Sequence, residues 1–114
     1  MQTTGYGQMH ADSLLIDQAR AAFNLANSAP DSAYSIADKI LQQSLPAGQL
    51  RVSAFANKAK GWALLRLGNY DSCMPYLLSS ARLFHRLNDT IETMYMYVNL
   101  ASAYSANSRF AESA

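Results

Sequence analysis

Residues that carry chemistry are scarce in this chain of 114, and each scarcity removes a class of function. Cysteine occurs once, at Cys73, so neither an intrachain disulfide nor a multi-cysteine metal site can form. A single thiol suits a reducing compartment, and a cytoplasmic location is expected. Only two histidines are present. His10 lies in a polar leader, and His85 lies near the end of a helical pattern, where a cation is favourable at the surface. With no nucleophile beside a base and no ligand cluster, no catalytic, cofactor or metal site is expected, and this segment is not read as an enzyme. Basic residues are few as well. Nine Lys plus Arg against eight Asp plus Glu leave a formal charge of +1, spread from Arg20 to Arg109 without the stripe that a phosphate backbone needs. The longest apolar runs, such as Trp62 to Leu65, fall far short of the ~18 residues that span a bilayer. Met1 to Asp12 is polar and lacks the residue order of a signal peptide. Contact with nucleic acid or membrane by this segment is therefore not expected.

What the chain does have is apolar content, 50% of its residues, arranged at helical spacing. Residues 1–11 show no such spacing and read as a flexible leader or cloning remnant, with the domain covering 12–114 as part of a longer protein. Leu14, Leu15, Ala19, Ala22, Phe23 and Ala26 then mark one face of a helix that Asp12 or Ser13 can cap. Pro30 and its polar neighbours predict the first turn. A second helix carries Tyr34, Ala37, Ile40, Leu41 and Leu45 and stops at Pro46-Ala47-Gly48; a third runs from about Leu50 to Leu67 and stops at Gly68-Asn69. The fourth carries Cys73, Leu77, Ala81 and Phe84, with Cys73 expected to pack in the core. Asp89 and Glu92 then form a capping-box pair that opens a fifth. That fifth helix should end near Asn107-Ser108, with a sixth beginning at Arg109-Phe110. β-Branched residues are few and scattered, so the fold class is all-α, with neighbouring helices antiparallel.

The most specific signal is an internal repeat. Gly61, Leu64, Gly68, Tyr70 and Cys73 recur 40 positions later as Ala101, Tyr104, Ser108, Phe110 and Ser113, small on small and large on large. A helix-turn-helix unit with this pattern resembles the tetratricopeptide repeat family. The resemblance covers residues 12–114, about two and a half units of an α-solenoid, with Ala22, Leu25 and Ala37 in a looser first copy. Two departures stand out: the period exceeds the family's 34 residues, and Pro75 falls in the early turns of the fourth helix, where it should delay or kink the start.

The resemblance implies a protein-interaction or sensory scaffold, similar to the N-terminal repeat regions of bacterial signalling regulators such as GGDEF diguanylate cyclases. It also implies a concave partner-binding groove at Phe55, Lys58, Trp62 and Arg66 on the third helix and Tyr95, Asn99 and Ser102 on the fifth, with Leu65, Val98 and Ser105 beside them. Aromatic and Arg anchors of this kind often dominate interfaces. Packing of Trp62 and Tyr95 against a neighbouring helix or a dimer mate is the competing reading. Some family members hold a peptide carboxylate with a fixed Lys and Asn set; Lys58 stands at one such place, but Trp62 stands where the Asn belongs. Tyr97, Leu100, Ala101 and Tyr104, with little following helix to cover them, predict a homodimer. The alternative function is a small-ligand sensor with a pocket lined by Trp62, Tyr95 and Tyr97.

Overall fold

The computed structural model describes residues 5–113, with side chains described over 12–112. Five helices make up this length: α1 (Gly5–Leu25), α2 (Pro30–Ser44), α3 (Leu50–Arg66), α4 (Tyr70–Arg86) and α5 (Thr90–Ser113). No strand occurs among the described residues, and the all-α class holds. From α2 onward each helix starts 20 residues after the last, at Pro30, Leu50, Tyr70 and Thr90. A helix of some 15 to 17 residues plus a tight turn fills that step in α2, α3 and α4.

Three of the turns close in the same way. Gly48 (φ +71°), Gly68 (φ +84°) and Asn88 (φ 58°) each take the left-handed conformation that a glycine or asparagine tolerates best. After each, the next amide reaches back to the last helical turn: Gln49 N–H to Ser44 O, Asn69 N–H to Leu64 O and Asp89 N–H to Phe84 O, all within 3.0 Å. The carbonyls that a helix end leaves unpaired are satisfied in this way, without any contribution from side chains.

Helix α3 is the middle of the molecule. It packs on α1, α2 and α4, whereas α5 rests mainly on α4 and only touches α3. From Val52 to Gly61 every residue of α3 is buried. Such a helix need not be apolar throughout if each polar group finds a partner. Ser53 Oγ meets Ser44 Oγ at 2.8 Å, Asn57 Nδ2 donates to Ser53 O at 3.0 Å, and Ser80 Oγ donates across the α3–α4 seam to Ala54 O at 2.7 Å. Three ion pairs also start from α3: Arg51–Asp89 at 2.7 Å, Lys58–Glu92 at 3.0 Å and Lys60–Asp38 at 2.7 Å. Burial by itself would make the Lys60 ammonium easier to deprotonate. The bonds to Asp38 and Tyr76 outweigh that cost, and the pKa is raised.

The core is small residues against large ones. Ala19 and Ala22 of α1, with Ala26 just past its end, cluster with Ala56, Ala59 and Ala63 of α3 and with Ala37 and Ala33 of α2, so these backbones approach closely. On the other side of α3, Leu77 and Phe84 of α4 are fully buried, and Phe84 meets Phe55 edge to face at 4.8 Å. Burying side chains of that size contributes about 1.5–3 kcal/mol each. Cys73 is fully buried, with Sγ 3.0 Å from Tyr70 O, and burial pushes its thiol pKa up, away from reactivity.

Three boundaries and one burial differ from those the sequence predicts. Helix α1 begins at Gly5 rather than at Asp12, because nothing between the two residues is a proline that would stop it from extending backwards. Pro75 does not delay α4, which begins at Tyr70; the proline is exposed, so the donor it removes is missing on the solvent side. The expected break at Asn107-Ser108 does not form, and what was read as a sixth helix is the end of α5. Neither residue demands a turn as Gly68 does, since both cost only a few tenths of a kcal/mol in a helix interior. Asn107 Nδ2 instead donates to Tyr70 O at 3.0 Å, and Phe110 meets the Tyr70 ring at 5.7 Å, tying the straight end of α5 to the α3–α4 turn. Finally, Leu100 is buried rather than presented to solvent.

Candidate functional site

The repeat predicts that residues 40 apart share an environment, and for the buried stripe they do. Ser53 and Thr93, Ala56 and Met96, Lys60 and Leu100, Ala63 and Ala103 are buried in both helices. The same step fails at the helix that should follow. A methyl group on Gly61 would lie 2.8 Å from Leu77 Cγ, whereas Ala101 is exposed with no helix against it among the described residues.

Because α5 only touches α3, a furrow opens between them, with α1 forming the far bank at one end. Its first hollow, about 310 Å³, is lined by Arg20, Phe23 and Asn24 of α1, Phe55 and Lys58 of α3, and Glu92, Tyr95 and Asn99 of α5. A second hollow of about 290 Å³ is lined by Trp62, Leu65 and Arg66 of α3, Tyr70 of α4, and Ser102, Ala106 and Arg109 of α5. The seven residues singled out from the sequence all line the furrow: Phe55, Lys58, Tyr95 and Asn99 the first hollow, Trp62, Arg66 and Ser102 the second. Val98 and Ser105 line neither hollow, since they lie on the exposed outer side of α5.

The electrostatics of the first hollow are mixed. Lys58 is nearly buried, its Nζ 3.0 Å from Glu92 Oε2 and 4.5 Å from the centre of the Phe23 ring, with Tyr95 at 5.7 Å on another side. Its charge is already matched inside the fold, so Lys58 is a wall of the site rather than a free grip for an anion. Arg20 is exposed, with Cζ 5.7 Å from the Phe55 ring. A flat guanidinium over an aromatic face keeps its edge available for a carboxylate.

Trp62 is anchored too. Its Nε1 donates to Asn27 Oδ1 at 3.2 Å and its ring meets Phe23 at 5.6 Å, so it packs α3 onto the end of α1 while one edge lines the second hollow. The three aromatics expected to enclose a small ligand are apart. Tyr95 lines the first hollow and Trp62 the second, and Tyr97 lies across α5 beside His85 and Met94.

Arg20, Phe23, Asn24 and Glu92 were missed as site residues. Glu92 was read only as half of a capping box; its backbone N–H does donate to Asp89 Oδ1 at 3.1 Å, but its carboxylate turns to Lys58. The α1 residues fall in the looser first copy of the repeat, where Ala22 packs with Ala37 of α2 and Ala59 of α3 and the pattern places no groove position on α1.

Among the described residues no group of three His, Cys, Asp or Glu side chains could hold a metal ion, and no helix is long and apolar enough to cross a membrane. The chain is thus an all-helical protein with an open, mixed-polarity furrow. Compared with protein families, curated proteins and solved structures, it matches none of them.

Proposed function

We propose that this chain is a protein-interaction scaffold of the tetratricopeptide-like solenoid type, and that the first hollow of the furrow receives a segment of a partner protein. The observation that carries this reading is the composition of that hollow: three aromatic rings, Phe23, Phe55 and Tyr95, beside the exposed Arg20 and the amides of Asn24 and Asn99. Rings supply apolar contact area at little entropic cost, and amides pair with a peptide backbone. With Lys58 and Glu92 cancelling each other, Arg20 leaves the hollow one positive charge. The fitting segment places an apolar side chain next to an acidic one. Placement within a larger bacterial signalling protein, such as a diguanylate cyclase, rests on the resemblance of the hairpin repeat alone.

Peptides selected from a random library against the purified chain test the reading. Acidic-plus-apolar sequences should emerge, and their affinity should fall at least tenfold on Arg20→Glu while Arg82→Glu, on the exposed side of α4, leaves it unchanged. Selection of peptides with no such bias, or binding indifferent to Arg20, overturns it.

A further inference from the structure

The side of α5 turned away from the furrow carries a run of uncovered large apolar side chains. Ile91, Met94, Tyr97, Val98 and Tyr104 are each between 57% and 67% exposed. They fall at helical spacing around Ala101, and α3 shows what such a stripe ordinarily meets: the residues 40 positions earlier, Ala54, Asn57, Gly61 and Leu64, are buried. Taking about 150–250 Å² for a large side chain, the exposed five leave roughly 450–800 Å² to cover, before Ala101 and the small residues beside them are added. A stable interface needs about 800 Å² from each partner.

We propose that the occupant of this face is a second copy of the chain, with the two α5 helices crossing antiparallel about a two-fold axis at Ala101. The size pattern along the helix supports a copy of itself rather than a different helix. Before Ala101 the stripe is bulky, with Ile91, Met94, Tyr97 and Val98; after it the stripe is mostly small, with Ser105, Ser108 and Ala111. An antiparallel two-fold crossing at Ala101 sets each bulky position of one copy against a position equally far on the other side in its partner. Met94 then meets the partner's Ser108, Tyr97 the partner's Ser105, Ile91 the partner's Ala111, and Val98 nests against the partner's Tyr104. Three of these pairs set large on small, while Val98 and Tyr104 meet as two large apolar side chains beside the axis; an isologous contact needs such complementarity within one surface. Charge stays at the margin: between Ile91 and Ala111 the one charged residue near the stripe is Arg109, about five turns after Ile91 on its furrow-side edge, where it also lines the second hollow.

Sedimentation of the whole chain over a concentration series up to high micromolar tests the assignment, together with two variants. The wild type should sediment at twice the monomer mass, and Val98→Glu, at an exposed position, should return it to monomer with helicity unchanged. Ala101→Cys should form a disulfide-linked dimer on mild oxidation, whereas Gln18→Cys on α1 should not. A wild type that remains monomeric at every concentration overturns the proposal, as does a dimer that survives Val98→Glu and gives no Ala101→Cys cross-link. A monomer that instead binds a helical peptide patterned like α4 assigns the face to a different partner and overturns it equally. None of these readouts involves the first hollow, so a failure here is distinguishable from a failure of the peptide-binding reading.

Discussion

At Gly61 the absence of a side chain sets the distance between two helices. An added methyl group would sit 2.8 Å from both Cγ and Cδ2 of Leu77 and 3.1 Å from its backbone nitrogen, so a rotamer change alone cannot relieve the clash. Alanine is the better helix former by about 0.8–1 kcal/mol, but overpacking of this kind costs about 1–3 kcal/mol. Gly61→Ala should therefore lower stability by roughly 1 kcal/mol despite its favourable propensity, measured by urea unfolding with an unchanged m-value. The repeat marks this position as one kept small, and the structure supplies the reason: a large residue cannot recur where a neighbour's Leu77 must fit. Its counterpart was not legible. Ala101 obeys the same pattern but has no neighbouring helix among the described residues, and a pattern of small residues cannot report whether the surface it prepares is occupied.

The turns show what decides a helix end when propensity alone is weak. Gly48, Gly68 and Asn88 all adopt positive φ and close their turns with backbone hydrogen bonds, and the ends at Gly48 and Gly68 are those the sequence predicts. Ser108 occupies the same repeat position as Gly68, yet α5 runs straight through it. A left-handed conformation costs an ordinary residue about 1–2 kcal/mol, so serine turns only if something beyond it rewards the turn. The graded preference is measurable. Gly68→Ala should destabilise by about 1 kcal/mol, with nothing within 4 Å of the added methyl to confuse the cause, and Asn88→Gly should stabilise by roughly 0.5–1 kcal/mol. Thermal melts that rank the variants in the opposite order would show that the φ angles do not govern these turns. The furrow was legible to a similar degree: Phe55 and Tyr95, and Trp62 and Ser102, follow the 40-residue step, and the α1 residues escaped because the first copy is too loose to place groove positions on α1.

Taken whole, the molecule is long for its mass, 58 Å in one direction against 28 and 21 Å in the others, and its contacts run mainly between successive helices. Stability should then be graded along the molecule rather than uniform. In the Val98→Glu monomer, hydrogen exchange should find the slowest amides in Val52–Leu64 of α3, which is covered on three sides, and the fastest α5 amides after Ala103, where the helix is held through the contacts of Asn107 and Phe110 with Tyr70. Uniform protection along α5 would point to an additional covering layer over its end.

The even step of 20 residues between helix starts has a bearing on how such a chain can change over generations. One residue gained or lost inside α3 would rotate everything beyond it by about 100° around the helix axis, turning Lys58 away from Glu92 and Gly61 away from Leu77 together. The same change in the link between α1 and α2, where no left-handed residue fixes the geometry, is absorbed locally. Length variation among descendants of this chain should therefore gather at residues 28–29, past the buried Ala26 and the Asn27 that holds Trp62, and spare the three glycine- or asparagine-closed corners, so that the first joint acts as the tolerant one while the rest are inherited as a block.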